Sequence, residues 1–163
     1  MKKIILLLTS SILLFSSCNR KSENTSNVLG AEEIPEIQSI NTLQKSEGLN
    51  LLKNNCFSCH NPNSESHDNM LAPPLAGIKH KYKQLYTTEE LFIAQMSDFV
   101  NNPTKENSIM KGPVKRFGLM PKTPLKKSEI QEIVKFIYKT ELPKPKWFKE
   151  HFEEKHNIEW EKR

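Results

Sequence analysis

Apolar residues change their rhythm twice along this chain. From Ile4 to Leu8 and from Ile12 to Phe15 they form an almost unbroken run, opened by Lys2 and Lys3 and closed by Ser16 and Ser17. A run this short, with a basic start and a small-residue end, predicts a secretory signal over 1–17 rather than a transmembrane helix. Over 18–41 the rhythm disappears. Ser, Asn, Glu and Lys dominate there, and neither a period of 3.6 nor one of 2 is sustained. The segment predicts a flexible tether with a root-mean-square span of about 25 to 29 Å.

From about residue 42 the spacing becomes helical. One helix is expected over Leu43 to Asn55. A second is expected over Glu89 to Asn102, with Thr87 three residues ahead of Glu90 at its start and Pro103 at its end. A third opens at Ser128, with Gln131 three positions on, and carries Ile130, Ile133, Val134, Ile137 and Tyr138 on one face. No stretch alternates as a strand would, which predicts an all-α domain over 42–141. Asn61 to Lys79 and Pro103 to Pro124 are long for loops in so small a domain and predict a large, flat apolar group for them to pack on. Past it, 142–163 places Trp147, Phe148, Phe152, Ile158 and Trp160 among charges, behind Pro143 and Pro145. The prolines end the third helix, and the aromatics predict an extension that packs back as a short helix.

Composition sharpens this division. Apolar residues make up 36% of the chain and charged residues 26%, as expected if polar tails dilute a smaller folded unit. The formal charge of +5 falls to +3 once Lys2 and Lys3 leave with the signal. So small an excess, on an exported chain, argues against nucleic acid as a partner.

The chemistry is concentrated in Cys56-Phe57-Ser58-Cys59-His60, a C-x-x-C-H sequence. Two thiols three positions apart can add to the two vinyl groups of one porphyrin, and the histidine that follows can reach its iron. Export agrees with this, because such attachment occurs outside the cytoplasm. A thioredoxin-type dithiol would need a βαβ setting, and a zinc site a second ligand pair; neither is visible.

These residues resemble those of the monohaem class I cytochrome c family over roughly residues 44–141. Gly48 matches the small residue where the family's terminal helices cross, and Phe136 the aromatic on the partner helix. Pro73-Pro74-Leu75 resembles the segment whose proline carbonyl takes the proximal histidine's proton, which would make Pro73 the residue that orients His60. Phe117-Gly118-Leu119-Met120-Pro121 resembles the distal methionine loop. The resemblance therefore implies a small all-α fold of helices and long loops wrapped around one covalent haem c. Cys56 and Cys59 would attach the haem, and His60 and Met120 would be the axial iron ligands. Met110 is the rival to Met120; Met96 is expected in the core, Met70 follows His60 too closely, and His67 and His80 are read as loop histidines. The signal is similar to that of bacterial lipoproteins, which implies lipidation at Cys18, although Phe15 stands where an aliphatic residue is usual.

The function so implied is electron transfer rather than catalysis: a periplasmic, monomeric single-electron carrier, anchored by lipid to the inner or outer membrane, working in a respiratory chain. Its partners would be a quinol-oxidising complex and a terminal oxidase or reductase. Lys79, Lys81, Lys83, Lys111, Lys115, Arg116, Lys122, Lys126 and Lys127 flank the two loops and could form a docking face for an acidic partner. The alternatives are a small haem enzyme, such as a peroxidase or an electron-entry subunit, and a gas-binding sensor. The sixth ligand separates them.

Overall fold

The last helix of the core, α5 (Lys127–Lys139), organises the others. Its apolar stripe buries Ile130, Ile133, Val134, Phe136 and Ile137, each contributing about 2 kcal/mol. The stripe packs on α1 (Pro35–Asn55) and on α3 (Glu89–Asn101). Leu52 of α1 and Phe92 of α3 are fully enclosed at those contacts. Helix α2 (Leu75–Leu85) joins through Tyr82, whose ring lies 5.8 Å from Phe92, while Tyr138 of α5 meets Phe92 edge-on at 5.1 Å. A short α4 (Lys111–Phe117) and the terminal α6 (Phe148–His156) complete the order. The computed structural model describes residues 35–160, and no strand occurs among them. The signal segment and Cys18 lie outside the described residues.

Several boundaries differ from those expected of the sequence. The first helix already covers 35–41 among the described residues, so these belong to α1 rather than to the tether. The polar residues of this stretch hide the helical period. At α3, Thr88 rather than Thr87 is the cap, its hydroxyl accepting the Leu91 N–H at 3.3 Å. Helix α5 opens at Lys127 instead of Ser128, because the Glu129 carboxylate accepts the Lys126 N–H at 2.7 Å and closes the turn. The two long loops also contain structure: α2 begins within the first and α4 lies within the second. Lysines interleaved with the apolar positions of α2 mask its period.

The α1–α5 crossing leaves no room for a side chain. A Cβ on Gly48 would lie 2.7 Å from the Phe136 Cβ and 3.0 Å from the Glu132 carbonyl oxygen. Gly48→Val is expected to lower stability by roughly 2 to 3 kcal/mol, measured as a shift in the urea midpoint of the haem-loaded protein. Adding Phe136→Ala should not restore it, since the Cβ and the carbonyl remain.

Candidate functional site

The C-x-x-C-H motif starts where α1 stops. The Cys56 N–H still donates to the Leu52 carbonyl at 2.9 Å, and the N–H groups of Cys59 and His60 both donate to the Cys56 carbonyl, at 3.2 and 2.9 Å. This turn brings Cys56, Cys59 and His60 together on one cavity of about 350 Å³. The cavity passes between α2, through Leu75, Ile78 and Tyr82, and α5, through Ile133, Val134 and Ile137. Its far wall is the segment from Ser108 to Leu125. Among the described residues, Lys122 is the one formally charged lining residue.

His60 is held by its backbone neighbour across the loop. Its Nδ1–H donates to the Pro73 carbonyl at 2.6 Å, which leaves the Nε2 lone pair free to bind a metal. Burial holds its pKa below the usual imidazole value, with the Pro73 hydrogen bond opposing, so the ring is neutral at pH 7. Cys56 responds to the same surroundings. Burial first, and Cys59 second, push its thiol up to about 11. A thiol so protonated is not the attacking thiolate of a redox-active dithiol. Nor does a group of three or more His, Cys, Asp and Glu gather for a metal among the described residues, so a zinc half-site lacks its other half.

Met110 and Met120 both line the cavity, as does Met96, which is buried in the core. Met70 is buried outside it, and neither His67 nor His80 lines it. Met120 is delivered by Gly118, whose φ of +81 with ψ of −179 ends α4 in a conformation open essentially to glycine alone. An apolar slot with two thiols, a neutral imidazole and thioethers on its walls fits a haem attached through both cysteines.

A helical fold around such a slot defines a small haem c protein. The sequence model of the family described as Cytochrome c matches residues 46–141, and the chain belongs to that family. Membership means covalently bound haem c, with Cys56 and Cys59 in the C-x-x-C-H position, and a role in transferring electrons to and from redox partner proteins. No curated protein and no solved structure matches the chain.

Contacts between residues far apart in the chain brace the loop that follows the motif. The Trp147 indole N–H donates to the Ser64 carbonyl at 2.9 Å. His151 of α6 stacks on His67 with ring centroids 4.2 Å apart, and Phe117 meets His67 edge-on at 6.4 Å. The Arg116 guanidinium pairs with Asp68 at 2.8 Å. Separations of 48 to 84 residues left no local pattern by which the sequence could announce these pairs. The lysines also divide. Lys79 is buried and donates to the Thr140 carbonyl at 2.9 Å, so it belongs to no docking face.

Two outcomes follow from this geometry. Gly118→Ala meets no steric neighbour, so its effect is backbone strain alone, expected to cost about 1 to 3 kcal/mol in thermal unfolding of the holoprotein. For His67, burial lowers the pKa and the nearby His151, Arg116 and Lys155 lower it further, against Asp68. The unfolded ring therefore takes a proton before the folded one does, and stability falls as pH drops below about 6.5. Against His67→Phe, the wild type should lose more stability between pH 7 and 5; equal slopes would remove His67 as the cause.

Proposed function

We propose that this cytochrome c is an exported, lipid-anchored single-electron carrier whose haem iron is ligated by His60 and Met120, serving a respiratory chain between a quinol-oxidising complex and a terminal oxidase or reductase. One observation carries the reading: Met120 lines the same apolar cavity as Cys56, Cys59 and His60, as Met110 also does, and stands in the loop that Gly118 opens. Haem iron supplies the one-electron ferric/ferrous couple, and a thioether as sixth ligand favours the ferrous form. The protein's own contribution is fixed geometry. Pro73 fixes the plane of His60, Gly118 sets the approach of Met120, and the apolar walls exclude water, so little rearranges when the electron moves. If His60 and Met120 both bind the iron, no position on it would be left for a substrate, as a carrier requires and an enzyme or a gas sensor does not.

Partner docking fits the rim of that cavity. Leu71 and Leu119 line it yet remain exposed, and Lys122 stands beside them on the same lining. Lys111, Lys115, Lys126 and Lys127 are exposed on α4 and at the start of α5. An acidic, partly apolar partner surface suits this combination, with charge steering the encounter and the leucines supplying the contact.

The ferric protein should show the weak long-wavelength sulfur-to-iron band of His/Met haem. Met120→Ala should abolish it while Met110→Ala keeps it. The opposite pattern would exchange the two methionines, and a wild type without the band would bring the peroxidase and sensor readings forward. Export and anchoring are tested separately. In a bacterial host that acylates lipoproteins, the protein should take up labelled fatty acid and sediment with membranes, whereas Cys18→Ser should be unlabelled and released in soluble form.

A further inference from the structure

Helix α2 has a second lined face. One side turns Leu75, Ile78 and Tyr82 to the haem cavity, whereas Lys79, His80 and Lys83 line a separate cavity of about 320 Å³. Its other walls are the end of α5, with Tyr138 and Lys139, the following Glu141 and Lys144, and Trp160 from the extension. Part of this cavity is therefore built by residues beyond the family match at 46–141.

Its polar groups are unbalanced. Four lysines face one carboxylate, Glu141, so the lining carries a formal charge of +3. Glu141 pairs with Lys144 at 3.5 Å, and Lys139 turns to Glu89 at 3.2 Å. Lys83 has no carboxylate partner among the described residues; its ammonium lies 4.3 Å from the centre of the Tyr138 ring. Lys79 is nine-tenths buried, and its hydrogen bond to the Thr140 carbonyl caps the end of α5. That bond accounts for Lys79 alone, since capping does not require further cations in the same cavity. Burial and then Lys83 push the Lys79 pKa down to about 8, against Glu141, whose single charge offsets the neighbouring ammonium only in part. The Trp160 indole N–H is also buried, with no acceptor among the described residues. A buried donor left unpaired is costly, and ammoniums can only donate, so the missing complement is a group that only accepts.

We propose that this cavity binds a small dianion of the phosphate or carboxylate class, held by Lys79, Lys83 and Lys144 with the Trp160 N–H as a further donor. The Tyr138 and Trp160 rings leave room for a compact apolar body on the anion. Such a ligand relieves the repulsion between Lys79 and Lys83, so binding above pH 8 draws a proton onto Lys79. It also ties the extension to α2 across the cavity.

The test is calorimetric titration of the haem-loaded mature protein with inorganic phosphate and with phenyl phosphate, at ionic strength held constant with chloride. Saturable binding is expected, with a shift of the Trp160 indole N–H resonance in the reduced protein. Lys83→Gln and Lys144→Gln should each weaken binding roughly tenfold, the loss of one charge-assisted hydrogen bond. Trp160→Phe keeps a ring in place and should also weaken it, and circular dichroism of each variant verifies the fold. Tighter binding of phenyl phosphate assigns an organic anion, and equal binding an inorganic one; both support the site. Heat no greater than in the chloride control, or binding indifferent to all three variants, would overturn it.

Discussion

The close crossing of α1 and α5 is the constraint on which the rest of the structure depends. Gly48 lets the two backbones approach until Phe136 rests where a side chain would otherwise stand. Because the C-x-x-C-H turn begins at the last residues of α1, that crossing also fixes where the cysteines and His60 enter the cavity. The same α5 that grips α1 forms a cavity wall through Ile133, Val134 and Ile137. Helix packing and cofactor geometry are thus one arrangement, and a change at the crossing displaces both.

His60 shows how the fold controls its chemistry without adding charge. The Pro73 carbonyl fixes the tautomer, burial keeps the ring neutral, and the Nε2 lone pair needed for a metal is left unprotonated. Gly118 works on the opposite wall by a different means, using a backbone conformation where His60 uses a hydrogen bond. Each device is local, yet they meet across the slot only because α2, α4 and α5 hold their loops in place.

The C-terminal extension changes the character of this small cytochrome c. Trp147 bonds to the loop after the motif, His151 stacks on His67, and Phe148 and Phe152 bury themselves around Ala76 of α2. The chain beyond the family match therefore braces the loop that carries Pro73. The same extension contributes Trp160 to the lysine-lined cavity, which Ala76 also lines, so it packs on the face of α2 turned away from the haem cavity.

The amphipathic stripe of α5 and the helical setting of the motif were legible in the sequence because they rest on local spacing: side chains three and four apart share a face wherever a helix goes. So was the thiol and imidazole chemistry, which five consecutive residues specify. Gly48 stood out only through the resemblance to the family. Residues 35–41 of α1, the start of α5 and the whole of α2 were less legible. Polar and basic residues obscure their period, and tertiary contacts supply the stability that the pattern does not advertise. Nothing in the sequence could pair Trp147 with Ser64, Arg116 with Asp68 or His151 with His67, nor separate buried Lys79 from the half-buried Lys81 and Lys83. Those contacts join residues 48 to 84 positions apart or depend on which helix face turns inward. Local residue chemistry determined what this protein can hold; only the packing of distant segments decided how the site is enclosed and braced.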